Sequence, residues 1–398
     1  MAASPALLDR ARTTAVGASS HPDASTAARE AVTAALSQLT AAGAPPGLLV
    51  VYASSSYDLD ALAGALGSAA GTTPLIGCTT AGEIATSGPG EAGVVALALG
   101  GDGFSVAVGM GEIVDGDLRR AGATAARCVE SVERRQSTIL LMLSDGLAGD
   151  QQEVVRGAYD QVGAEIPLVG GCAGDDLRME LTHQFLGGQV VSNAVVAAAI
   201  SSDGAIGIGV RHGWRPVGEP MTVTGSDGVV VTTLDDEPAL DVYLAHLDAP
   251  AKVQEDSEAF TAHAATRPLG LSRRGRDEIR FVATADFERR TITCFAEVPQ
   301  GGQCSIMEGD AESVLSATDD ACSEALAALH GAAPHGVMVF DCIARKGVLG
   351  EGIVAEVEQI GRRALGAPIA GFYTYGEIAR TTGSSGFHNQ TLVVLALG

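Results

Sequence analysis

The sequence predicts an α/β protein of mixed sheets flanked by helices, built from duplicated α/β units in two similar halves. Three observations carry this. One phrase recurs: residues 74–83 read Pro-Leu-Ile-Gly-Cys-Thr-Thr-Ala-Gly-Glu, 167–175 read Pro-Leu-Val-Gly-Gly-Cys-Ala-Gly-Asp, and 368–377 read Pro-Ile-Ala-Gly-Phe-Tyr-Thr-Tyr-Gly-Glu. Short apolar runs alternate with stretches of 3.6-residue apolar period, as strands alternate with helices. The closing stretch 391–398, Thr-Leu-Val-Val-Leu-Ala-Leu-Gly, echoes Gly-Val-Val-Ala-Leu-Ala-Leu-Gly at 93–100. Each is a strand returning after a short connection, which calls for antiparallel pairing and so for mixed sheets.

In order along the chain, residues 1–22 are rich in Ala, Ser and Thr and are expected to fray. Ala28, Ala31, Val32, Ala35, Leu36 and Leu39 mark an amphipathic helix that Gly43 and Pro45-Pro46 end. A buried strand is expected at 48–52. Asp58 is placed to cap a helix bearing Leu62, Ala63 and Leu66. After the first Gly turn, the runs 93–100 and 104–108 flank Gly100-Gly101-Asp102-Gly103, which predicts a hairpin. The pattern then repeats: a helix around 118–132, a strand at 139–143, a helix with Val154, Val155, Ala158 and Val162, the second turn, and a strand at 193–200. Residues 207–247 read as three strands and a helix starting near Pro238. A final round has a strand at 337–340, a helix marked by Ile353, Val357 and Ile360, the third turn and the last strand.

The chain of 398 residues is long enough for two domains. Aromatics are only 4% while glycines number 51, so packing must rest on small residues and close backbone approach. The formal charge of −23 repels nucleic acid and anionic membranes, which excludes both as expected partners. Cys78, Cys128, Cys172, Cys294, Cys304, Cys322 and Cys342 are odd in number and contain no Cys-x-x-Cys, which argues for a reducing compartment without disulfides or structural zinc. No apolar run approaches the roughly 18 residues of a membrane span, and no signal peptide is visible. A cytoplasmic protein is expected.

The first and third turns have G-x-x-x-x-G spacing, but Glu83 and Glu377 stand where a phosphate-binding loop needs Lys. A carboxylate beside turn amides suits an ammonium or hydroxyl group instead, as in an amino acid or its derivative. The competing reading is structural: tight strand exits, with the acids capping backbone amides. Tyr373 and Tyr375 add hydroxyls and ring faces to the third turn, shortly before His388 and Asn389, and favour that copy as the ligand site. The candidate binding residues are Cys78, Thr79, Thr80, Glu83, Cys172, Asp175, Tyr373, Tyr375, Glu377, His388 and Asn389. No catalytic set emerges; Cys78, Cys172 or Ser144 as a nucleophile is one alternative, although Ser144 lacks the flanking glycines of a nucleophile elbow. No cofactor or metal is expected on the main reading. Haem held by His212 or His388 is a second alternative, since one axial His suffices.

Several phrases together are specific: 76–84, 170–176, His-Gly-Trp-Arg-Pro-Val-Gly at 212–218, Leu-Asp-Asp-Glu-Pro-Ala-Leu-Asp-Val-Tyr at 234–243, 371–379, and Phe-His-Asn-Gln-Thr at 387–391. With these in order from about residue 25, the chain resembles the FIST sensory proteins, whose N- and C-terminal regions occur together in bacterial signalling. The resemblance implies a flexible N-terminus at 1–24, a FIST N-like domain at 25–248, a connecting segment at 249–278 and a FIST C-like domain at 279–398. It implies a ligand-sensing module for small molecules such as amino acids; some members are reported as haem proteins sensing nitric oxide. Two positions depart from the pattern: Arg380 stands where Pro often follows Gly-Glu-Ile-Ala, and Asp341 precedes Cys342 where Ser is common. No output domain is visible, so a separate signalling protein is the expected partner beside the small-molecule ligand.

Overall fold

The computed structural model describes residues 11–247, 249–273, 276–381, 383 and 385–398. A strand–helix–strand–helix–strand unit, followed by a Gly turn, a short hairpin and a returning strand, occurs three times. The first runs Thr13–Ser19, helix Ala24–Ala41, Pro46–Ser54, helix Leu59–Ala70, Leu75–Thr80, hairpin Glu83–Ala85 with Gly88–Pro89, and Val94–Gly100. The second runs Phe104–Glu112, helix Leu118–Ala126, Ser137–Ser144, helix Gln151–Val162, Leu168–Cys172, hairpin Gln184–Leu186 with Gln189–Val191, and Ala194–Ser202. The third begins at Ile206–Arg211 and resumes with helix Ala311–Ala327, Gly336–Cys342, helix Ile353–Arg363, Ile369–Thr374, hairpin Glu377–Arg380 with Phe387–His388, and Leu392–Leu397. Asp23, Asp58, Asp117, Asp150 and Asp310 each accept an amide of the first turn of the helix that follows, so the helix starts are written in single residues.

Each unit forms a six-stranded mixed sheet in one order: first strand, returning strand, second, third, then a hairpin belonging to another unit. Only the second and third strands pair in parallel. The hairpin of the second unit pairs with strand Leu75–Thr80 of the first, that of the third with Leu168–Cys172, and that of the first with Ile369–Thr374. The exchange is cyclic and closes on itself. Inward side chains of all three sheets, among them Leu48, Tyr52, Leu141, Phe340 and Phe372, share one core, and Tyr52 stacks on Phe372 with ring centroids 4.8 Å apart. The alternate residues Leu49, Val51 and Ala53 face the helices outside, so the strands are apolar on both faces.

Residues 215–308 interrupt the third unit with an eight-stranded antiparallel sheet and helices Ala239–His246 and Ser257–Ala264, packed round their own core. This corrects the expected connecting segment at 249–278, which holds one of those helices and the strands Leu269–Arg273 and Arg276–Arg280; residues 248, 274 and 275 lie outside the described residues. Its polar, proline-bearing sequence resembles a linker because most of residues 250–267 are at least partly exposed.

The flexible stretch expected at 1–24 is also corrected over 13–19, which pairs residue by residue with Val94–Gly100; residues 1–10 lie outside the described residues. Its small side chains conceal a strand because Gly17 lets helix Ala24–Ala41 approach the backbone: an added Cβ would lie 2.1 Å from Ala31 O. Nor do 93–100 and 104–108 form a hairpin. Gly101 N bonds Pro45 O and Gly103 N bonds Ala11 O, turning the chain out of one sheet into the next.

Close approach also governs the third strands. An added Cβ on Gly77, Gly170 or Gly371 would lie 2.3, 1.9 or 2.0 Å from the carbonyl of Val51, Met142 or Val339 on the neighbouring strand. Gly371→Ala is therefore expected to lower stability by about 3 kcal/mol in chemical denaturation. Gly64→Ala, at an exposed helical position with open space, is expected to raise it by about 0.5 kcal/mol. Equal stability of the two variants would remove the close approach as the reason for glycine.

Candidate functional site

The three Gly turns lie next to one another because the cyclic exchange brings the ends of the third strands together. Ala81 N donates to Tyr373 O at 3.0 Å and Tyr373 N to Gly82 O at 2.8 Å. Cys172 N donates to Gly376 O at 2.8 Å and Tyr375 N to Cys172 O at 3.2 Å. Gly174 N and Asp176 N complete the ring on Thr79 O and Thr80 O, at 3.0 and 3.1 Å.

The repeated carboxylates differ in what they meet. Thr374 Oγ1 accepts the Gly376 amide and donates to Glu377 Oε1, while Thr391 N donates to Glu377 Oε2 at 3.1 Å. Glu377 is fully buried with both oxygens bonded; burial pushes its pKa up to about 8, against the pull of those donors. Thr80 and Glu83 repeat the arrangement at 2.5 Å, with the Gly82 amide on Thr80 Oγ1. Glu83 Oε2, however, has no hydrogen-bond partner, although Glu83 is only 2% exposed. Burial pushes this acid up to about 7; Thr80 lowers it, Asp176 raises it, and the nearby backbone amides of Gly93 and of Glu83 itself lower it.

In the second, shorter turn Ala173 occupies the place of the threonine. Asp175 accepts the amides of Met179, Glu180 and Leu181 and the hydroxyl of Tyr375. Burial pushes its pKa up, but the tyrosine and the amides outweigh that and hold it below the usual value.

The other predicted residues are turned inward. Cys78, Thr79, Thr80, Cys172 and Tyr373 have no exposed surface, and burial drives both thiols well above their usual pKa, the opposite of an activated nucleophile. Thr79 Oγ1 accepts the His183 amide. The tyrosines were expected to offer ring faces to a ligand; instead Tyr375 is spent on Asp175 and the Leu177 amide, and Tyr373 lies buried under Lys346, whose Nζ is 4.9 Å from the ring centroid. They point inward because the ring of turns is the meeting place of three sheets. Ser144 donates to Gln151 Oε1 and sees no base there. His388 Nε2 lies 3.0 Å from Ala379 O, His212 Nδ1 accepts the Trp214 amide, and Asn389 is buried with Oδ1 unpartnered. Among the described residues no group of three His, Cys, Asp or Glu side chains is set to hold a metal ion.

Glu83 reaches an opening. It lies at the base of a cleft of about 390 Å³ formed by the end of strand Thr13–Ser19, the hairpin of the first unit and the start of strand Val94–Gly100. Oε2 sits between Gly90 and Gly93, 3.5 and 3.4 Å from where their Cβ atoms would be, so the absence of two side chains thins the cover over this buried oxygen. Ser19, Ser20, Ser87 and Glu91 add polar groups to the lining. Sequence reasoning missed them. The glycine-rich stretch 88–93 was a signal, but Ser19 and Ser20 stood in a segment expected to fray.

No helix among the described residues is long and apolar enough to cross a membrane. The uncharacterized protein Rv0628c of Mycobacterium tuberculosis is 27% identical over 94% of this chain and 97% of its own length. The uncharacterized protein Mb0898c of Mycobacterium bovis is 25% identical over 94% and 96%. T. maritima PurL complexed with ADP overlays 97% of this chain and 72% of its own at 12% identity, with a TM-score of 0.26 that carries no structural kinship. A FIST N domain model matches residues 47–237 and a FIST C domain model residues 239–380, and the chain belongs to the FIST family.

Proposed function

We propose that this protein is a sensory module that binds a small polar molecule in the cleft over Glu83, the ligand donating a hydrogen bond to Oε2. Membership of a family of sensory domains supports the general role. One observation carries the location: the same acid that is fully satisfied in the third unit is left with a bare, buried oxygen at an opening in the first. A buried polar atom without a partner is costly, and a ligand donor removes that cost. The hairpin that walls the cleft is also the edge of the third unit's sheet, so a bound ligand bears on two units at once. A separate signalling protein reading that change completes the proposal.

Thermal-shift screening of small metabolites on the full chain tests the location. Hits are expected to weaken about tenfold or more in Glu83→Gln, the range for losing a hydrogen bond to a charged group. They are expected to persist in Ser144→Ala, which lies away from the cleft. Hits indifferent to Glu83→Gln would place the ligand elsewhere.

Stability against pH gives a second check. Glu83 is faced by Thr80, Asp176, Tyr57 and Cys78, and its folded pKa of about 7 stands above its usual 4.5. The folded protein then binds the proton more tightly than the unfolded chain, so stability from this group falls as pH rises from about 4.5 through about 7. Denaturation midpoints are expected to decline over that range, and Glu83→Gln to flatten the decline. An unchanged slope would show that Glu83 is ionised normally.

A further inference from the structure

We infer that the cleft over Glu83 selects organic ammonium ions without a carboxylate, alkyl amines and diamines, over amino acids. This rests on the cleft being the ligand site. Its charged lining groups are two carboxylates, Glu83 at the base and Glu91 at the rim, with no Lys, Arg or His among the lining residues. Ser19 on the same wall donates to Glu30, which brings a third carboxylate close. The amide of Gly90, which would suit an anion, is already bonded across the hairpin to Glu83 O.

An ammonium group entering this site meets the bare Glu83 oxygen. A charge-assisted bond there compensates for its lost hydration. The carboxylate of an amino acid would enter with it and meet carboxylates and hydroxyls among the lining side chains, a repulsive element that rejects zwitterions. Lys346 lies outside the lining, with Nζ 4.0 Å from Glu91 and over the Tyr373 ring. Ala18, Ala85, Pro89 and Val95 supply apolar wall for a methylene chain between the buried acid and Glu91, which is 88% exposed. A cleft of about 390 Å³ is near the lower end for small-molecule sites and suits a chain of a few carbons.

Cadaverine and lysine differ only by the carboxylate, and calorimetric titration of the full chain with each at pH 8 tests the inference. Cadaverine is expected to bind at least tenfold more tightly than lysine. Glu83→Gln is expected to weaken cadaverine at least tenfold. Gly90→Ala, whose methyl would lie at ordinary contact distance from Oε2, is expected to weaken it as well, with an unchanged melting temperature showing that the variant folds. Lysine binding as tightly as cadaverine, with both lost in Glu83→Gln, would overturn the ligand class and leave the cleft as the site. Affinity for both that ignores Glu83→Gln and Gly90→Ala, or no binding of either, would overturn the class, and the former would overturn the cleft with it.

Discussion

The structure depends on the cyclic exchange of hairpins. The third strand of each unit has a partner on one side within its own sheet; on the other side its amides and carbonyls are met only by a hairpin from another unit. Buried backbone groups must be paired, so no unit can complete its sheet alone. The chain closes three times on itself, and the hydrogen-bonded ring of Gly turns is where the three closures meet. Glycine is required there because the turn-bearing strands lie within contact of their neighbours' carbonyls, which leaves no room for a Cβ.

Around that ring the protein buries charge and pairs it, with Asp341 Oδ2 and Glu356 Oε2 left without hydrogen-bond partners. Arg345 donates to Asp341, Glu356, Thr318 and the carbonyl of His212, tying two helices, a strand and the entry to the inserted sheet. Burial pushes Asp341 well above the usual carboxylate range and the neighbouring Glu356 pushes it further, while Arg345 pulls it back. Arg380 donates to the carbonyls of Gly163 and Ile166 beyond helix Gln151–Val162 and lies over the Tyr159 ring, bracing the third unit's hairpin against the second unit. Asp341 and Arg380, the two positions set apart in the resemblance, both serve in buried networks rather than in the cleft. Removing one partner of such a pair costs more than the pair contributes, because the other charge stays buried.

Repetition sets three like acids in unlike surroundings. Where frame and acid are shared, the fate of the acid turns on small differences at the rim. Thr391 closes over Glu377, Asp175 is drawn onto a run of three amides, and Glu83 faces Gly90 and Gly93, which bring no side chain over it. The third copy, favoured by its tyrosines, is thereby the most enclosed.

The sequence alone determined the units: strand and helix periods, aspartate caps, Gly turns and their trailing acids are local and leave residue patterns that read directly, and the family follows from the same phrases. It hid the strand at 13–19 and the inserted sheet, whose small or polar side chains carry little apolar period. Only the tertiary structure decided which sheet each hairpin joins, because a backbone hydrogen bond leaves no mark on the identity of the residue that makes it. It decided the fate of the acids for a related reason. Whether a carboxylate is capped or open depends on amides and missing side chains brought to it from elsewhere in the chain, and three residues that look alike in the sequence meet three different surroundings.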